Sequence, residues 1–121
     1  MAKKILICED NTPTAKAVAR SVELLGYSAV TLAKKDSSSC VLADIEEVVE
    51  KEQPDYVFLD GLSGRYYEAA DLVKAVKPDA RIVIVSADSE IIKDAASQGY
   101  AALTKPISRA RLSELLKKLE A

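Results

Sequence analysis

The strongest constraint is a change of hydrophobic period that repeats five times along the chain. Lys4-Ile5-Leu6-Ile7-Cys8, Tyr56-Val57-Phe58-Leu59 and Arg81 to Val85 are short runs, too short for helices and apolar on consecutive positions. Strands covered on only one face alternate apolar with polar, so continuous runs of this length predict strands buried on both faces. Ser28 to Ala33 and Ala101 to Thr104 read as two further, weaker strands. Segments of helical period separate them. Asn11 is placed to cap a helix with Pro13 in its first turn, Ala15, Val18, Ala19, Val22 and Leu25 on its inner side, and Gly26 as its stop. Ser39 is placed to cap a second helix, with Val41, Leu42, Ile45, Val48 and Val49 on one face, that breaks at Pro54-Asp55. A third covers about Tyr67 to Val76 and ends before Pro78. Ser89 is expected to cap a fourth helix stopped by Gly99, and Ser108 to open a fifth with Leu112, Leu115, Leu116 and Leu119 inward. Strict alternation implies right-handed crossovers, a parallel sheet and helices on both of its faces.

A length of 121 residues suits one domain, 1–121. Hydrophobic residues make up 49% of the chain, ordinary for a globular protein. The net charge of -2 and an aromatic content of 5%, with no Trp, argue against a nucleic-acid partner. No apolar run is long enough for a membrane span, and the N-terminus lacks the pattern of a secretory signal, so a cytoplasmic location is expected. The chain has no His, which excludes Ser-His-Asp and Cys-His nucleophile systems and zinc held by His. Cys8 and Cys40 read as reduced thiols.

In an open parallel sheet the ligand site lies beyond the carboxyl ends of the strands. Those ends carry Glu9-Asp10, Asp60, Ser86 and Lys105. Three carboxylates crowded on one edge repel and call for a cation. Oxygen donors without His or Cys favour a hard divalent ion, Mg²⁺ or alternatively Mn²⁺. The local alternatives are plain: acids favour a helix start, Asp before Gly is a common turn, and Ser86 is one potential helix cap. Lys105-Pro106 after a strand has no such local purpose.

Four fragments carry a resemblance: Ile5-Leu6-Ile7-Cys8-Glu9-Asp10-Asn11, Pro54-Asp55-Tyr56-Val57-Phe58-Leu59-Asp60, Ile82-Val83-Ile84-Val85-Ser86-Ala87 and Leu103-Thr104-Lys105-Pro106. In this order the chain resembles the receiver domain of two-component response regulators, of the single-domain chemotaxis type. The resemblance implies a flavodoxin-like (βα)5 doubly wound parallel sheet of strand order 2-1-3-4-5. It implies Asp60 as acceptor of a phosphoryl group from a histidine kinase or phosphotransfer protein, and Mg²⁺ held by Asp10, Asp60 and the backbone carbonyl of Leu62, with Glu9 assisting. Ser86 and Lys105 would contact the phosphoryl group, and the Lys105-Pro106 peptide would be cis. Catalysis would extend only to the chain's own phosphorylation and dephosphorylation. A downstream protein would read the surface of the fourth helix, fifth strand and fifth helix, on a monomer or weak dimer.

The sequence departs from the family pattern in three places. Ser63-Gly64 stands where Met-Pro is usual. The stretch from Asp60 to Ser86 is short, so the third helix and the loop before it are expected to be trimmed. Ala102 stands where the family carries the Tyr or Phe that swings inward on activation, and Tyr100 reads as out of register to replace it. Leu62 and Asp88 are expected along the path of the hydrolytic water, predicting slow loss of the phosphoryl group. Ala102 and the altered loop also favour an alternative, a pseudo-receiver that binds proteins without phosphorylation. An aspartate-nucleophile phosphatase is disfavoured because Leu62 stands where its second Asp belongs, and a flavin carrier because no Ser/Thr/Gly-rich loop follows the first strand.

Overall fold

A computed structural model describes residues 3–9, 11–32, 42–60 and 66–120. Ten elements alternate: β1 (Lys4–Cys8), α1 (Thr12–Leu24), β2 (Ser28–Leu32), α2 (Leu42–Glu52), β3 (Tyr56–Asp60), α3 (Tyr66–Val76), β4 (Arg81–Ser86), α4 (Ser89–Ser97), β5 (Ala101–Thr104) and α5 (Arg109–Glu120). The five strands form one sheet of order β2-β1-β3-β4-β5, with every pairing parallel. This is the expected doubly wound α/β sheet.

The continuous apolar runs are explained by a core on each side. Side chains alternate across a strand, so Ile5 and Ile7 face one way and Leu6 and Cys8 the other. Ile5, Ile7, Phe58, Val83 and Val85 pack with Val18 and Val22 of α1 and Leu112 and Leu116 of α5. Leu6, Cys8, Val57, Leu59 and Ile84 pack with α2, α3 and α4 through Ile45, Val49, Tyr66, Val73 and Ala95. Ile5, Leu6, Val57, Leu59, Val83 and Ile84 are fully buried.

Helix boundaries follow local chemistry. The Asn11 side chain accepts a hydrogen bond from the Thr14 N–H at 2.9 Å, capping α1 as expected. Gly26 and Gly99 close α1 and α4 with φ of +97° and +89°, values that side-chain-bearing residues rarely adopt. At α4 the expectation needs correcting. The cap is Asp88, whose carboxylate accepts from the Glu90 N–H at 2.9 Å, and Ser89 is the first helical residue. An Asp in extended conformation one residue earlier reaches the open N–H groups and adds a favourable charge at the helix start. α3 begins one residue before its expected start and has 11 residues, the same length as α2. Ser39, Cys40 and Val41, and the loop with Gly61, Ser63 and Gly64, lie outside the described residues.

Candidate functional site

Register brings the strand ends level. Cys8 pairs with Leu59, Asp60 with Val85, and Ser86 with Thr104. Glu9 and Asp60 each follow one of the first pair, so two carboxylates stand on neighbouring strands at one edge. Lys105 follows Thr104, and its N–H donates to the Ser86 carbonyl at 2.9 Å, extending the β4–β5 pairing past the last strand residue. The Lys105-Pro106 peptide is cis.

The Lys105 ammonium reaches back across the sheet edge to both acids. Its Nζ lies 2.6 Å from Glu9 Oε2 and 3.1 Å from Asp60 Oδ1. Glu9 is 4% exposed, and the Lys105 and Asp60 side chains are 22% and 17% exposed. Glu9 Oε1 accepts the Asn11 N–H at 3.1 Å, which fixes the carboxylate's orientation. Desolvation pulls the Lys105 pKa down, but the hydrogen bonds it donates to Glu9 and Asp60 and their two charges outweigh it, and the net displacement is upward. The ammonium is therefore fully charged at neutral pH.

Ser86 is 6% exposed, and its Oγ accepts the Asp88 N–H at 3.0 Å. The residue at the end of β4 is thereby tied to the cap of α4. Asp88 itself is exposed and engaged in capping. An open groove of about 530 Å³ leads to Lys105 between α1 and the segment after β5, lined by Pro13, Thr14, Ala17, Ala87, Pro106 and Ile107. Asp10 and Leu62 lie outside the described residues. Glu9, Asp60, Ser86 and Lys105 stand on one edge.

Ala102 sits opposite Ile84 in β5 and packs on the side of the sheet covered by α2, α3 and α4. Tyr100 packs against the same cluster. Tyr100 lies one residue before β5 and reaches the same side of the sheet as Ala102 from a position two residues earlier. It is Ala102 that stands opposite Ile84, so Tyr100 remains out of register to take that position, as expected. Its ring meets Tyr66 edge-on, with centroids 6.2 Å apart.

One constellation escaped the sequence reading. The Tyr66 and Tyr67 hydroxyls both donate to Asp94 Oδ2 of α4, and their rings stack at 4.2 Å. The available signal was compositional: three of the chain's five tyrosines gather here.

The strand order and the clustered edge can be compared with known structures. A CheY-like response regulator receiver domain from Methylobacillus flagellatus superposes with a TM-score of 0.78 at 22% identity, covering 98% of this chain and 99% of that one. A response regulator from Thermotoga maritima gives 0.75 at 22% identity, covering 98% of both chains. The chain has the receiver fold. The receiver domain of the Pseudomonas aeruginosa sensor histidine kinase PA1611, described with a magnesium ion in its active-site cleft, gives 0.76 at 20% identity and covers 98% of this chain and 97% of that one. No protein-family model and no curated protein matches the sequence. No helix among the described residues of this receiver fold is long and apolar enough to cross a membrane.

Proposed function

We propose that this chain is a response-regulator receiver that takes a phosphoryl group on Asp60. The supporting observation is the Lys105 ammonium shared by Glu9 and Asp60 at the carboxyl edge of the sheet. In the reaction, an Asp60 carboxylate oxygen forms a bond to phosphorus as the bond from phosphorus to the donor's histidine nitrogen breaks. The product is an aspartyl phosphate, and the donor imidazole leaves with the electron pair. Asp60 at the end of a buried strand is rigidly held for in-line attack. Lys105, already within 3.1 Å, neutralises charge on the equatorial oxygens as they approach. Ser86, whose hydroxyl holds the start of α4, is placed to turn toward a phosphoryl oxygen once the group is attached.

The donor set fits a hard divalent cation: carboxylates at level positions on adjacent strands, with no imidazole or thiol among the donors. Asp10, Asp60 and the Leu62 carbonyl would hold Mg²⁺, with Glu9 assisting. When bound, Mg²⁺ supplies positive charge to the phosphoryl oxygens. The donor is a histidine kinase or phosphotransfer protein, and the output is a protein reading α4, β5 and α5. The unit is a single domain, 1–121, acting in the cytoplasm as a signalling protein rather than a metabolic enzyme.

Incubation with acetyl phosphate and Mg²⁺, followed by intact mass measurement, tests the reading. One added phosphoryl group on the native protein and none on Asp60→Asn is expected. No addition to the native protein, or equal addition to both, rejects it. Ala102 in the switch position favours the second reading, a binding module that never loads phosphate, which the same measurement separates.

A further inference from the structure

We infer that Tyr66 and Tyr67 of α3, with the Asp94 carboxylate of α4 that they share, form a latch through which the state of Asp60 is passed to α4. The inference rests on the proposed acceptance of a phosphoryl group at Asp60. Three observations lead to it. First, α4 buries the fewest residues of the helices described. Its one buried residue is Ala95, whereas α1 buries three and α3 buries four. An element with so little buried surface is the one whose docking a few hydrogen bonds can decide. Second, those bonds connect to the site from two directions. The start of α4 hangs from Ser86 through the Asp88 N–H, and its later turn hangs from α3 through Asp94. Third, α3, which Tyr66 opens, is the next element along the chain after the strand that ends in Asp60.

The latch also occupies the region where Ala102 leaves β5 without a side chain to rotate. Tyr100, on that face, is braced edge-on by Tyr66. Tyr66 is 1% exposed and Tyr67 is 37% exposed, so one phenol is anchored in the core while the other closes over the carboxylate from outside. Burial, with the Asp94 hydrogen bond and charge, pushes the Tyr66 hydroxyl up to about 12, so it remains a donor throughout the neutral range. When Ser86 turns from the Asp88 N–H toward a phosphoryl oxygen, α4 loses its first tether. The Asp94 latch then determines whether the helix keeps its tie to α3.

Amide hydrogen exchange across residues 89–97, without and with Mg²⁺ and beryllofluoride, tests this. Tyr66→Phe/Tyr67→Phe keeps both rings and removes both donors. Asp94→Ala removes the acceptor from an exposed helical position while raising intrinsic helicity, so faster exchange there cannot reflect a poorer helix. Both variants are expected to speed α4 exchange about threefold to tenfold in the unloaded protein and to abolish the change that loading causes in the native chain. Both should still gain one phosphoryl group from acetyl phosphate. Unchanged exchange, or a loading response equal to the native one in either variant, overturns the latch. If the native chain gains no phosphoryl mass, the reading at Asp60 fails and the latch falls with it, an outcome distinct from one in which mass is gained and α4 responds normally in the variants.

Discussion

Lys105 holds two carboxylates at once. Its ammonium lies within 4 Å of the nearly buried Glu9 carboxylate and of Asp60 beside it. Removing it takes a charge partner from a desolvated acid, which costs more than the pair itself contributes. Lys105→Met is expected to destabilise the fold by about 1–3 kcal/mol, discounted from the fully buried case because the ammonium and Asp60 keep some solvent contact. The pH dependence has a definite sign. A lysine whose folded pKa is raised contributes fully below its ordinary value of 10.5 and loses that contribution as pH rises through the folded value. The stability gap between native and variant protein, measured by urea denaturation, should stay constant from about pH 7 to 9 and narrow above 10.5. A gap that closes already by pH 9 would show that the ammonium is not held as described. The sequence made Glu9, Asp60, Ser86 and Lys105 legible because each occupies a strand end, where topology alone brings distant residues together. Tyr66, Tyr67 and Asp94 were not legible, since a side-chain bond between partners 27 or 28 positions apart leaves no periodic trace.

At the scale of elements, the helix starts show how local chemistry was read and misread. Asn11 was visible because Pro13 fixes where α1 begins. At α4 two capping residues, Asp88 and Ser89, stand side by side, and sequence alone does not choose between them. The carboxylate wins, so Asp88→Ala should cost about 1 kcal/mol and Ser89→Ala much less. Equal losses in thermal denaturation would contradict the observed cap. Opposite the site, α5 is tied to the base of the sheet through Glu120, which accepts from Tyr56 at 2.7 Å and pairs with Lys3 at 2.6 Å. The Lys3 hydrogen bond, followed by the Tyr56 one, holds the Glu120 carboxyl below its ordinary 4.5. A carboxylate with a lowered folded pKa stabilises above its ordinary value and loses that contribution as pH falls through the folded one. Glu120→Gln should therefore flatten the acid limb of the stability profile below about pH 4.5, with little change in its shape above that, as followed by circular dichroism. An acid limb as steep as the native one would assign the acid sensitivity to other carboxylates.

For the molecule as a whole, hydrophobic periodicity was sufficient for the element count and for the two-sided burial, because a strand covered on both faces has nowhere to place polar residues. Periodicity did not contain the strand order; the resemblance supplied it, and the parallel pairings bear it out. That order places the crowded acids at the point where β1 and β3 lie side by side, and it has a thermodynamic consequence. Under the proposed function these carboxylates belong to a site that the unfolded chain lacks, so binding there would stabilise the fold by mass action. With Mg²⁺ and beryllofluoride at about 100 times the dissociation constant, the gain is about 2.7 kcal/mol. For a domain of this length that corresponds to a rise in melting temperature of roughly 10 °C. The rise should vanish on chelation and be absent in Asp60→Asn, while Glu120→Gln, at the opposite edge of the sheet, should keep it whole. Because Glu120 is remote from the carboxyl edge, a loss of the rise in that variant as well would mean that the ions act on the charged surface at large and not on the site. A rise retained in Asp60→Asn would move the binding site away from the end of β3.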